Sequence, residues 1–220
     1  MIIGVIKPKG PTSNRILAQI KKISGIKKVG HAGTLDPLAS GVLVVAISRG
    51  STKKIAEEVK KEKEYIADVT LGMESTTDDE QGEKNIWEVK TPPSKDEVEL
   101  ALKKFIGDIT QLPPIYSAIK VNGKEAYKYA HKGEAVEMTP RPAFIKEIEL
   151  LEYNYPLLKI RVVTGKGVYI RTLAKDIGIA LNTGAYMSDL VRTRVGEFTL
   201  ENSYTLETLK TLDFTPFKPS

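Results

Sequence analysis

Residues 30–41, Gly-His-Ala-Gly-Thr-Leu-Asp-Pro-Leu-Ala-Ser-Gly, gather three glycines and a proline round one aspartate, directly ahead of the apolar run Val42–Ile47. The run has the length and β-branching of a buried strand. The glycines let the preceding backbone turn tightly and be approached closely, while Pro37 stiffens it. A strand entered from a glycine loop that displays Asp36 is therefore expected. An isolated Asp-Pro usually does no more than cap a turn. Here Asp36 is the first acid in the chain and Glu57 the next, whereas Lys7, Lys9, Arg15, Lys21, Lys22, Lys27 and Lys28 all precede it. Segregated positive charge suits a polyanion, because each phosphate contact releases counterions. A solvated lysine-rich face is the alternative.

The rest of the composition removes whole classes of chemistry. With no cysteine there are no disulfides, and a cytoplasmic location is expected. Two histidines, His31 and His131, leave little for a structural zinc site. There is no GxxxxGK[ST] phosphate loop, and Gly165-Lys166-Gly167 lacks the third glycine of a dinucleotide fingerprint. No apolar run approaches the roughly 20 residues of a membrane span. Met1–Ile6 is too short for a secretory signal.

Hydrophobic spacing predicts a strand at Ile2–Ile6 and a helix capped at Thr12, Ser13 or Asn14, with Ile16, Leu17, Ile20 and Ile23 on one face and Gly25 at its end. A short helix from Ser51 to Val59 and an alternating strand at Lys63–Gly72 follow. The polar, acidic stretch Met73–Asn85 is expected as an exposed loop. Ser94-Lys-Asp-Glu97 fits a capping box, with Val98, Leu102, Phe105 and Ile106 as the apolar face and Gly107 as the stop. Further on, a strand is expected at Ile115–Val121, a turn at Asn122-Gly123 and a short helix at Glu125–Lys132 with His131 on its surface. Paired strands are expected at Ala143–Glu152 and Leu157–Thr164, a helix at Tyr169–Leu181, a last strand near Val195–Leu200 and a small helix at Leu206–Leu212. Helices and strands mix without strict βαβ alternation, which predicts an α+β domain.

The 30–41 loop resembles the signature Gly-His-x-Gly-x-Leu-Asp-Pro-x-Ala-x-Gly of the TruB family of pseudouridine synthases. Four further blocks agree in order: Lys7-Pro-Lys-Gly-Pro-Thr-Ser13; Lys63-Glu-Tyr65; Leu112-Pro-Pro-Ile-Tyr-Ser-Ala-Ile-Lys120 with Gly123 and Tyr127; and Gly167-Val-Tyr-Ile-Arg-Thr172, followed by Asp176-Ile-Gly178 and Leu190-Val-Arg-Thr193. The resemblance implies the pseudouridine-synthase fold, a central mixed, largely antiparallel sheet flanked by helices and loops. It implies isomerisation of a tRNA uridine, position 55 in the T-loop, with base flipping, no cofactor and no metal. The same reaction on another RNA, as in guide-dependent relatives, and a non-catalytic RNA-binding protein are the alternatives.

By the same resemblance Asp36 is the catalytic nucleophile and Arg171 the arginine that pairs with it, a contact that would keep the carboxylate ionised. Tyr65 corresponds to the tyrosine stacked on the target base, and Tyr169 and Leu190 to positions lining the uracil pocket. His31 corresponds to the histidine that enters the RNA loop as the uridine leaves. Lys7, Lys9, Lys120 and Lys124, with Lys21, Lys22, Lys27, Lys28, Lys128 and Lys132, are candidates for phosphate contacts with the tRNA T-arm. Three departures stand out: Ser75-Thr76-Thr77 where Thr-Asp-Thr is usual, Leu190-Val191-Arg192-Thr193 where Leu-Arg-Arg-Thr is usual, and an end soon after Phe198. A monomer is expected, with one catalytic domain at 1–212, a short tail at 213–220, no separate C-terminal RNA-binding domain and hence weaker RNA affinity.

Overall fold

The computed structural model describes residues 1–217 apart from Asn122 and His131. The Asn122 part of the expected turn, the expected surface position of His131 and the last three tail residues lie outside the described residues. In chain order the elements are β1 Ile2–Lys7, α1 Ser13–Ser24, β2 Val29–His31, β3 Ser40–Ile47, α2 Arg49–Lys60, β4 Lys63–Leu71, β5 Met73–Ser75, β6 Lys84–Ile86, α3 Lys95–Lys103, β7 Gly107–Gln111, β8 Lys120–Val121, β9 Lys124–Glu125, α4 Ala126–Ala130, β10 Arg141–Asn154, β11 Leu157–Thr164, α5 Ile170–Ala180, β12 Ala185–Val195 and β13 Phe198–Thr199. Short 3-10 turns follow at Thr208–Thr211 and Thr215–Phe217. The class is α+β with a mixed sheet: β12 runs parallel to β3, whereas β1 on β3 and β11 on β10 are antiparallel. The chain forms two compact units, Met1–Ile66 with Leu190–Ser220, and Ala67–Asp189.

In the first unit β3 is buried on both faces, which is why its sequence shows no polar alternation. Leu43, Val45 and Ile47 join Ile3 and Val5 of β1 in one cluster with Ile16, Leu17 and Ile20 of α1. Val42 and Val44 point the other way, to Ala32 and Val195, with Ile55 of α2 packed against them. Helix α1 starts where the Thr12 side chain accepts from the Arg15 amide at 3.2 Å, and it ends at Gly25, whose φ of 71° suits glycine. Each such aliphatic side chain contributes about 1.5–3 kcal/mol by leaving water.

In the second unit β10 pairs with β11 on one side and β7 on the other, both antiparallel. Helix α3 has the expected capping box: the Ser94 amide donates to Glu97 Oε2 at 2.7 Å, and the Glu97 amide donates back to Ser94 Oγ at 3.3 Å. Val98, Ala101 and Leu102 form its buried face, while Ile106, expected on that face, is exposed. Helix α5 buries an unbroken run from Ile170 to Ala174.

Four local expectations are corrected. Met73–Asn85 is not an exposed loop: β5 and β6 pair as a hairpin, and Ser75 and Asp79 are buried. The strand expected at Ile115–Val121 forms only at Lys120–Val121, since Pro113 and Pro114 ahead of it break the ladder by lacking amide hydrogens. Gly107 opens β7 instead of merely stopping a helix. Of the last strand expected near Val195–Leu200 only the short β13 Phe198–Thr199 forms, and the long strand before it, β12 at Ala185–Val195, was not expected, because the inward Arg192 masks its period.

Candidate active site

The glycine loop is pinned from several sides within the first unit. Ser13 Oγ donates to the Leu35 carbonyl and accepts from the Leu35 amide, both at 2.9 Å. The Gly10 amide donates to the Pro37 carbonyl at 2.7 Å, and the Ala39 amide closes a turn onto the Asp36 carbonyl at 3.1 Å. The Lys7 side chain, fully buried, donates from Nζ to the carbonyls of Ala39 at 2.6 Å, Pro8 at 2.9 Å and Pro37 at 3.4 Å. Burial pushes this ammonium down to about 8; the Asp36 carboxylate pulls it partly back, and Arg192 depresses it further. At neutral pH it is still mostly charged.

Arg192, only 1% exposed, holds the loop from β12. Its Nε donates to the Val42 carbonyl at 2.7 Å, Nη2 to Gly33 at 3.2 Å and Nη1 to Thr34 at 3.4 Å. Burial lowers its pKa, and the neighbouring Tyr65, to which it hydrogen bonds, and the Asp36 charge work against the loss of its proton. Lys63, also buried, donates to the carbonyls of Val59 and Lys61, each at 2.9 Å, and burial with the Arg192 charge brings it to about 8. His31 sits at the end of β2 with Nδ1 buried and without a hydrogen-bond partner. Burial and Arg192 lower its pKa, so the ring is neutral at pH 7. Close packing enforces this geometry at Gly41, which has φ of +105°; a Cβ there would lie 2.2 Å from the Arg192 carbonyl oxygen.

In the second unit Tyr169 caps α5, and Gln111 clamps its main chain, donating to the Tyr169 carbonyl at 3.2 Å and accepting from its amide at 3.0 Å. Arg171, in the first turn of α5, is buried; it donates to the Tyr116 carbonyl at 2.8 Å and lies 3.7 Å from Asp79 Oδ2. Asp79 is held in turn by the Gln81 amide at 3.0 Å and the Thr77 hydroxyl. The acid missing from the Ser75-Thr76-Thr77 triplet thus has a buried carboxylate two residues beyond it. Among the described residues no group of three or more His, Asp and Glu side chains gathers at metal-binding spacing.

The expected residues divide between the units. Lys7, Lys9, His31, Asp36, Tyr65 and Leu190 belong to the first, and Lys120, Lys124, Tyr169 and Arg171 to the second. Tyr65 and Leu190 are buried, while Lys9 and Lys120 are exposed. Lys124 lies 3.4 Å from Glu134 and 4.2 Å above the Tyr129 ring. Lys7 is placed unlike a phosphate-gripping side chain, because it is sealed beneath the loop with its donors on carbonyls. Sequence reasoning gave no role to Arg192 or Asp79. The one available signal for Arg192 was its place in the Leu-Val-Arg-Thr block.

Comparison with known proteins agrees with these features. Residues 21–170 match the N-terminal domain of the TruB family pseudouridylate synthases, and residues 171–215 match the tRNA pseudouridylate synthase B C-terminal domain. The tRNA pseudouridine synthase B of Clostridium novyi is 49% identical over 96% of this chain and 72% of its own. That of Phocaeicola vulgatus is 48% identical over 88% of this chain and 83% of its own. The solved structure of a Cbf5-Nop10-Gar1 complex superimposes with a TM-score of 0.72 at 34% identity, covering 94% of this chain and 52% of that one. This chain spans about half the length of that structural relative. No helix among the described residues is long and apolar enough to cross a membrane. The glycine loop with its aspartate and the matches along most of the chain lead to one conclusion: this protein belongs to the TruB family of pseudouridylate synthases.

Proposed function

We propose that the chain isomerises the uridine at position 55 of the tRNA T-loop in the cytoplasm, with Asp36 as the reacting carboxylate. The N1–C1′ bond breaks, the uracil rotates, C5 bonds to C1′, and the proton lost from C5 is matched by one gained at N1. The observation that carries this reading is the placement of Asp36. It is the one carboxylate of the pinned loop, and its charge reaches both buried cations beneath it, Lys7 and Arg192. Tyr65, on the same guanidinium, is the proposed partner of the base. His31, neutral and underused in hydrogen bonding, is suited to stack where the uridine has left, offsetting part of the few kcal/mol of extrusion. Tyr169 and Arg171 of the second unit are proposed as further substrate-binding residues, and Leu190 as lining the base. Lys9, Lys120 and Lys124 are proposed as phosphate contacts.

Support for tRNA as substrate comes from the relatives named tRNA pseudouridine synthase B at 44–49% identity. The test is incubation of the protein alone with a uridine-labelled tRNA transcript. Pseudouridine at position 55 is expected without guide RNA, and Asp36→Ala should bind the transcript yet lose at least about 1,000-fold in rate. Wild type that forms product only with a guide RNA would reassign the substrate. A fully active Asp36→Ala would overturn the mechanism.

A further inference from the structure

Arg192 heads the large side chains that the structure buries completely. A guanidinium so placed is costly, and three carbonyls could be satisfied by neutral donors. The identity of the carbonyls is therefore informative. Gly33 and Thr34 lie just ahead of Asp36 in the loop, Val42 begins the buried run of β3, and the remaining reach of the fork goes to Tyr65. One planar group thus ties the stretch ahead of the carboxylate to the sheet and to the aromatic hydroxyl. A lysine in its place would bring the charge but only a single donor point, too compact to bridge Val42 and Gly33 together. The main chain of β12 adds to this, for Arg192 pairs in register with Gly41, and the space over Gly41 leaves no room for a side chain.

We infer that Arg192 is a positioning residue for the isomerisation, holding the Asp36 loop and the Tyr65 hydroxyl in one fixed relation through its fork of donors. The inference rests on Asp36 being the reacting carboxylate and adds a residue that acts through it. The planar fork is the essential feature, so the conservative change is the informative one.

The experiment measures single-turnover rates with excess enzyme on labelled tRNA transcript, alongside the Kd for that transcript. The proteins are wild type, Asp36→Ala, Arg192→Lys, Tyr65→Phe and the Arg192→Lys/Tyr65→Phe double variant. Arg192→Lys is expected to slow the chemical step about 100-fold, the scale of a misplacement near 1 Å, while Kd stays within about threefold of wild type. In the double variant the Tyr65→Phe penalty should be smaller than in wild type, because the two side chains act as a unit. Arg192→Lys at the wild-type rate, additive effects in the double variant, or a rate loss matched by lost tRNA binding would each overturn the inference; the last would assign Arg192 to the fold alone. An inactive wild type or an active Asp36→Ala would instead overturn the underlying reading. An active wild type, a dead Asp36→Ala and an unimpaired Arg192→Lys would defeat only the inference made here.

Discussion

The two units secure their buried arginines in opposite ways. In the first, Arg192, Lys7 and Lys63 are held mostly by main-chain carbonyls, and the carboxylate whose charge reaches Arg192 and Lys7 is that of Asp36. In the second, Arg171 has a carboxylate of its own unit beside it, Asp79, together with one carbonyl. Carbonyl dipoles fix a cation in place without cancelling its charge, whereas an acid does both. The first arrangement keeps positive potential available to a carboxylate at the loop surface. The second sets a guanidinium against an acid as well as a carbonyl.

The contrast can be broken at the main chain first. Gly41→Ala should be the most damaging change, since it forces a side chain onto the Arg192 backbone at a φ of +105°. A loss of more than about 4 kcal/mol is expected, seen in a thermal melt as a drop of roughly 10 °C or more. A melt within a degree or two of wild type would show that the β3–β12 contact is slack. Next, Asp79→Ala should remove about 3 kcal/mol by leaving Arg171 without its internal carboxylate, read as a shift in urea midpoint. The midpoint should recover partly when Arg171→Met is added, a rescue that a purely local hairpin defect would not show.

The smallest effect is a matter of pH. Burial raises the Asp176 carboxyl to about 6, with Asp78 pushing the same way and Lys175 opposing. The folded state then holds its proton more tightly than the unfolded chain, so the ionised form weighs against folding above pH 6 and has no effect below about pH 3.8. Asp176→Asn should therefore stabilise the protein at pH 7.5, by about 1 kcal/mol once solvent screening of this half-buried group is allowed for. The gain should fade as pH falls through 6 toward 4. A gain that persisted at pH 4 would assign the effect to something other than charge.

Features encoded by neighbours in sequence were legible in advance. The Thr12 cap and Gly25 stop of α1, the Ser94 capping box, the β10–β11 pair and the two-faced run of β3 all follow from local patterns. The loop at Asp36 was legible from its glycines and its isolation among lysines. What escaped were two elements whose buried polar groups hide the pattern. Strand β12 puts Arg192 inward while Asp189 and Arg194 are only partly covered, so no hydropathy period marks it. The β5–β6 hairpin folds over Ser75 and Asp79, whose partners are revealed only by the tertiary structure. The stretch after Leu112 misled in the other direction: Ile115 and Tyr116 promise a core strand and instead face solvent.

The Arg192 bonds join residues 150 to 159 positions apart along the chain. During synthesis, then, the Asp36 loop can take its contacts with Lys7, Gly10 and Ser13 early, but the guanidinium clamp from Arg192 must wait for β12. Until then the loop has only near-neighbour contacts to hold it, so its last fastening is a late, long-range step of folding.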